Sequence, residues 1–148
     1  MQIISALFVE NFALRQAPGP STRIDLTGAF FSIVAPTPVP TTIDPHLVVL
    51  IYCTPNEPGN SLLEVIFREG PGPEDNQLAR NVSPFTVEPG KFTYRLVRGE
   101  LLLDSYTQIF AHCRIATGPW HLVPLTLLEP VVDTATSTGA VTNSENAG

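Results

Sequence analysis

The amino-acid sequence predicts an all-β fold, an antiparallel β-sandwich of about seven to nine strands. The chain has 148 residues, which suits a single domain, and 43% of them are hydrophobic while 15% are charged. Fifteen prolines and ten glycines are more than helices tolerate, because proline lacks an N–H donor and glycine loses much backbone entropy on folding. Several short segments instead alternate apolar and polar residues, with the period of two that half-buried strands require.

The first half of the chain contains three predicted strands. Residues 3–9 form one apolar run, and residues 24–34 form a second around Gly28, whose missing side chain suggests a bulge or a close approach by another backbone. Residues 47–53 are continuously apolar, which predicts a central strand in the deepest part of the core. The proline-rich residues 35–45 lack donors, so we expect them to cross between sheets or lie along an edge.

The second half of the chain shows the clearest alternation. Residues 81–87 form a weaker strand, because Pro84 confines the segment to an edge or a bulge. Near the N-terminus, residues 10–16 could form one helical turn, although the segment has no strong cap. The other predicted strands cover residues 63–68, 92–97 and 106–115, and residues 120–128 complete a hairpin after a short turn.

The chain divides into a predicted β-sandwich domain, residues 1–129, and a polar tail, residues 130–148. The tail has small polar residues and no aromatic or basic side chain. We expect it to be flexible or to be ordered by a partner.

Composition excludes several classes of partner. The net charge is −6, and the seven arginines and Lys91 are scattered, so no basic stripe is available for nucleic acid. No apolar run is long enough to cross a bilayer, and no cationic segment precedes the first apolar run as in a signal peptide. We therefore predict a protein of the cytoplasm or of a particle assembled there. Cys53 and Cys113 are predicted to be reduced core thiols, with a disulfide between them as the alternative.

His112, Arg114 and His121 form the first candidate site, because the predicted hairpin register sets residue 114 opposite residue 121, with residue 112 on the same face. Two imidazoles could bind a divalent metal. A metal normally needs a third protein ligand, and no carboxylate lies nearby in sequence, so we expect no metal and an exposed polar face.

Trp120 and Phe110 complete the candidate ligand-binding set of Phe110, His112, Arg114, Trp120 and His121. Their aromatic faces could stack on a sugar or a peptide. A tryptophan that covers the core or a sheet edge is the interpretation that we favour, and the stacking surface is its alternative. No serine lies in a Gly-x-Ser-x-Gly elbow and no glycines have a phosphate-binding spacing, so we expect neither a catalytic site nor a cofactor.

The strand pattern of residues 2–128 resembles a family of small uncharacterised bacterial proteins, commonest in actinobacteria, that carries a domain of unknown function. The resemblance implies a β-sandwich, and it implies no activity and no functional residues. The segments that carry it are Ile3-Ile4-Ser5-Ala6-Leu7, Leu26-Thr27-Gly28-Ala29-Phe30-Phe31-Ser32-Ile33, Glu88-Pro89-Gly90-Lys91-Phe92 and Val97-Arg98-Gly99-Glu100.

Three functional hypotheses follow from the sequence. The first is a non-enzymatic interaction or structural module that joins a larger assembly, such as a phage-type particle or another bacterial complex, through sheet edges or the tail. The second is a ligand-binding β-sandwich for carbohydrate or peptide that uses the Trp120 face. The third is a hydrolase whose site combines distant residues such as His46 and Asp104.

Overall fold

A computed structural model of the protein describes residues 1–19 and 21–131, and these form eleven β-strands and no helix. The predicted all-β fold is therefore confirmed. The strand count exceeds seven to nine because three strands have only three residues each, too short to display alternation. The strands are β1 (Gln2–Gln16), β2 (Thr22–Ala29), β3 (Ser32–Val34), β4 (Thr41–Ile43), β5 (His46–Tyr52), β6 (Asn60–Arg68), β7 (Gln77–Thr86), β8 (Phe92–Arg98), β9 (Leu101–Leu103), β10 (Gln108–Ile115) and β11 (His121–Leu128).

Two larger sheets and one small sheet make up the fold. Sheet A has the order β2-β1-β5-β8, sheet B has the order β3-β11-β10-β6-β7, and β4 pairs with β9. Among these strands, every pairing is antiparallel except that of β3 with β11. The described residues contain no helix with the length and apolar character needed to cross a bilayer. Residues 132–148, most of the predicted tail, lie outside the described residues.

The segment after the first hairpin connects the two sheets. The predicted strand 24–34 is in fact two strands, because Ala29 ends β2 in sheet A and Ser32 begins β3 in sheet B. The proline-rich residues 35–45 then return the chain from sheet B to β5 in sheet A, as predicted for a crossing segment. On the way, the short strand β4 pairs with β9.

The core lies between the inner faces of sheets A and B. Phe8 and Leu47 enter it from sheet A, and Phe67 and Leu125 enter it from sheet B, each at most 1% exposed. Apolar side chains at alternate positions of facing strands interdigitate here, which is the arrangement expected of a sandwich. Alternation along β10 is confirmed, because Ile109, Ala111 and Cys113 are all fully buried.

Strand β5 is buried on both faces, which explains its continuous apolar run. Leu47, Val49 and Ile51 belong to the core, whereas Val48 lies on the outer face of sheet A and is nevertheless only 1% exposed. An outer face of a four-stranded sheet would ordinarily be solvated. Another part of the chain must therefore cover it.

The cover is the far end of the β1–β2 hairpin, residues 11–16 and 22–27, which we call the arm. These residues continue past the end of β5, and the ring of Phe12 lies 5.7 Å from that of Tyr94 on β8. Such a contact requires β1 to bend back over the outer face of sheet A. The predicted helical turn at residues 10–16 is therefore wrong, since these residues are extended and paired with β2.

Gly28 lies where the arm bends. It has φ of 65°, and a Cβ atom added there would lie 2.2 Å from Oε1 of Glu10. A close approach was predicted at this glycine, and it is made by a side chain and not by a backbone. Only glycine adopts this conformation at little cost, so the residue permits the bend.

Both cysteine thiols are free and buried, as predicted. The Cys53 thiol lies 3.6 Å from the carbonyl oxygen of Thr54. Burial raises the pKa of the Cys113 thiol to about 12, so almost no thiolate forms at neutral pH.

We expect neither cysteine to react with a thiol reagent such as dithionitrobenzoate while the protein is folded. Two thiols per chain should react after unfolding in urea, because the thiolate is the reactive species and burial excludes the reagent. Absorbance of the released thionitrobenzoate measures both states. Rapid labelling of the folded protein would contradict the buried positions.

Candidate functional site

The hairpin of β10 and β11 differs from its predicted register by one residue. Cys113, and not Arg114, is paired with His121. Residues 114–120, an odd number, separate the paired Cys113 and His121, and within them Ala116 adopts a left-handed conformation with φ of 51°. A one-residue shift moves a side chain to the opposite face. His121 therefore shares the side of Cys113, away from the outer face that carries His112 and Arg114.

His112 is buried, which contradicts the expected exposed polar face. The residue is 4% exposed, and Nε2 lies 2.9 Å from the carbonyl oxygen of Gly70. The indole of Trp120 approaches the imidazole edge-on, with ring centroids 6.2 Å apart. The loop at Gly70 and the indole together exclude solvent from this histidine.

Trp120 forms a stack with Arg114 on the outer face of sheet B. The guanidinium carbon of Arg114 lies 4.2 Å from the ring centroid, a cation–π contact. The tryptophan is 37% exposed, so it neither fills the core nor projects freely. One face of the ring is already occupied by Arg114, and a ligand could reach only the remaining surface.

Glu64 joins this stack to a second arginine. Its Oε1 accepts a hydrogen bond from Nε of Arg114 at 2.9 Å, and its Oε2 accepts one from Nε of Arg80 at 2.8 Å. Neither partner was identified from the sequence, because Arg114 reaches Glu64 through the pairing of β6 with β10 and Arg80 reaches it through the pairing of β6 with β7. The sequence feature that bears on this site is the alternation of apolar and polar residues along β6, which places Glu64 on the outer face.

The two arginines control the ionisation of Glu64. Partial burial raises the pKa of its carboxyl group, but the hydrogen bonds and positive charges of Arg80 and Arg114 outweigh this effect, and the net pKa lies below its ordinary value of 4.5. A lowered pKa in the folded state means that the ionised carboxylate stabilises the fold above pH 4.5. This contribution is lost as the pH falls through the folded-state pKa.

We therefore expect Glu64→Gln to lower the free energy of unfolding by about 1 kcal/mol at pH 7. The difference between the two proteins should shrink as the pH falls below 4.5, because the carboxylate becomes protonated first in the unfolded protein and, at a lower pH, also in the folded protein. Urea unfolding followed by circular dichroism between pH 3 and pH 7 measures it. A difference that does not vary with pH would show that the charge of Glu64 is irrelevant to stability.

Other residues singled out in the sequence are not brought into a common site. Phe110 is half-buried on β10, opposite Pro124, and lies two residues from His112 on the same face. His46 begins β5 opposite Arg98, and the guanidinium of Arg98 bonds to Asp44 at 2.6 Å. Within the described ranges, no group of three or more His, Cys, Asp or Glu side chains has the arrangement of a metal site.

A second surface, which was not predicted from the sequence, lies between the arm and β8. It is an apolar groove of about 460 Å³. Phe92, at 62% exposed, is its most accessible large side chain, and its ring lies 5.1 Å from that of Tyr52. The groove is lined by Leu14, Thr22, Arg23, Ile24, Leu50, Phe92, Thr93 and Tyr94.

The groove follows an open sheet edge. Among the described residues, β8 pairs only with β5, so one side of its backbone is unpaired. Phe92, Tyr94 and Leu96 alternate along the outer face, and Leu96 is 40% exposed. Apolar side chains beside free N–H and C=O groups are the features that attract an additional strand.

Arg95 points to the inner side of the same edge. Its Nε and Nη2 atoms donate to the Ser83 hydroxyl of β7, at 3.0 Å and 2.6 Å. No carboxylate forms an ion pair with it in the part of the chain that the structure describes. A half-buried guanidinium with one neutral partner retains the capacity to bind an anion.

No protein-family model matches the chain and no curated protein is similar to it, so the resemblance to an uncharacterised bacterial family stays a prediction.

Proposed function

We propose that the protein is a non-enzymatic interaction or structural module that joins a larger assembly through a sheet edge and its C-terminal segment. The observation that carries this proposal is the free edge of β8, which runs beside an apolar groove and exposes Phe92 and Leu96. We propose that the module acts in the cytoplasm or in a particle assembled there.

An open edge of this kind exposes unpaired N–H and C=O groups that can pair with another chain. Monomeric proteins usually protect edges with lysine, proline, a bulge or a covering segment. Strand β7 carries Pro84, whereas β8 contains neither proline nor lysine between Phe92 and Arg98, and its inward-pointing charge, Arg95, is one that an acidic partner strand would neutralise. An added strand would form backbone hydrogen bonds and bury the two exposed side chains, which supplies both affinity and specificity.

Light scattering tests the proposal, with the full chain measured beside a version that ends at Pro130. We expect the full chain to be oligomeric and the shortened chain to be monomeric. Phe92→Lys should also reduce the mass, while Leu102→Lys, at a site 61% exposed on β9, serves as the matched control. If the full chain is monomeric at every concentration, self-assembly is wrong.

A second function, the binding of a carbohydrate or a peptide, is favoured by the 37% exposure of Trp120. This residue is the only tryptophan of the chain, so its fluorescence reports on one site. A saturable change on titration with oligosaccharides or short peptides, lost in Arg114→Ala, would support it. Unchanged emission across both series would count against it.

A further inference from the structure

The free edge of β8 has a pattern that a partner strand must match. On its outer side it offers apolar surface at Tyr94 and Leu96, and on its inner side it offers the guanidinium of Arg95. A strand added beside β8 would therefore be extended and β-branched, with an acidic side chain on the inner side.

The chain itself contains a segment of this description. Residues 131–138 read Val-Val-Asp-Thr-Ala-Thr-Ser-Thr, of which five are the β-branched residues that favour strands. From residue 129 onward the chain has no basic side chain, and Asp133 is the acid within the β-branched run. In an extended segment, Asp133 lies on one face, while Val132 and Thr134 lie on the other.

The length of the connecting chain determines whether residues 131–138 can contact β8 of the same chain or only β8 of another copy. Ser83, the hydrogen-bond partner of Arg95, is level with Ile115 at the turn end of β10. The chain leaves sheet B at Leu128, the opposite end of β11, which is about 30 Å away along the strand direction. Three strand spacings, about 14 Å, also separate β11 from β7. The chain from Leu128 to Asp133 spans about 17 Å when fully extended, so Asp133 cannot reach Arg95 of the same chain.

We propose that residues 131–138 of one copy add as a strand to the free edge of β8 in a second copy, with Asp133 beside Arg95. Val132 and Thr134 then lie next to the outer apolar residues Tyr94 and Leu96. The inference rests on the proposed assembly function and names its partner, a second copy of this chain. Because the donor and acceptor surfaces differ, the contact is head-to-tail and generates rings or open chains.

Charge reversal in the full chain tests the contact. We expect Asp133→Arg and Arg95→Glu each to weaken self-association on the order of tenfold or more, because like charges then face each other. Glu145→Arg makes the same charge change beyond the end of residues 131–138 and should leave the mass unchanged. Arg95→Gln, with circular dichroism, separates loss of charge from loss of the fold.

Mixing the two reversed variants gives the sharper result. The Asp133→Arg variant retains its own Arg95, and the Arg95→Glu variant retains its own Asp133, so neither should assemble alone. Together, both contacts between unlike variants pair opposite charges, one between the two substituted positions and one between the unchanged Asp133 and Arg95. Light scattering should therefore detect assemblies in which the two variants alternate.

The outcomes of these tests are distinguishable. If both single variants keep the wild-type mass while Phe92→Lys lowers it, the edge assembles with something other than residues 131–138, and this inference is wrong although the proposed function survives. If the mixture stays monomeric while each variant is folded, the pairing of Asp133 with Arg95 is overturned. A wild-type chain that is always monomeric removes both proposals.

Discussion

Replacement of Phe67 by alanine is expected to lower the free energy of unfolding by about 3–5 kcal/mol, because the residue is 1% exposed and fills the centre of the sandwich. The ring also lies directly against the backbone at Gly99, where an added Cβ atom would come within 2.7 Å of it. The surrounding strands cannot close the resulting cavity without moving both sheets. Urea unfolding followed by circular dichroism measures the loss.

Leu102→Ala is the control for this prediction. Leu102 is 61% exposed on β9, so its truncation should change the free energy of unfolding by at most about 0.5 kcal/mol. If Phe67→Ala costs no more than Leu102→Ala, the core does not lie between sheets A and B as described.

Val48→Asp is expected to have the second large effect. Val48 lies on the outer face of sheet A, yet it is 1% exposed because the arm covers that face. A carboxylate buried at this position loses its hydration, and its side chain is too short to reach solvent. We expect the free energy of unfolding to fall by about 3 kcal/mol more than in the control described next.

The matched control is Leu62→Asp, on the outer face of sheet B, where the side chain is 46% exposed. Both substitutions lower strand propensity, which reduces the free energy of unfolding by about 1 kcal/mol in each protein. Only Val48→Asp also buries the charge. Equal effects in urea unfolding would mean that the arm does not cover sheet A in solution.

Elements with a local signal were predictable from the sequence. The apolar run of β5 and the alternation of β10 report burial directly, because one or both faces of each strand enter the core. Pro84 marked β7 as an edge strand, and the sheet order places β7 at an edge. The short strands β3 and β4 had no such signal, since three residues do not define a period.

Features that depend on long-range pairing were not predictable. The side chain of His121 lies on the face opposite to the predicted one, because the hairpin pairs it with Cys113 and not with Arg114. Glu64 met Arg114 only through the pairing of β6 with β10. For Glu64 the missing information was which strands are neighbours, and for His121 it was the register within a hairpin that had been predicted.

The arm and its groove were missed for a related reason. Phe12 and Leu14 lie at alternate positions, as expected in a strand. Without knowledge of sheet A, however, we could not identify the surface against which these apolar side chains pack. The structure supplies that partner in Leu50 and Tyr94. A hairpin whose apolar end extends past the other strands of its sheet would have indicated a segment that covers a sheet face.

Hydrogen exchange of the full chain at a low and a high protein concentration examines the β8 edge itself. We predict that backbone amides of residues 92–98 that point away from β5 exchange slowly only at the high concentration, because an added strand then accepts their hydrogen bonds. Amides of the edge strand β7 should exchange equally at both concentrations. Rapid exchange throughout β8 at both concentrations, or new protection confined to β7, would contradict an assembly built on this edge.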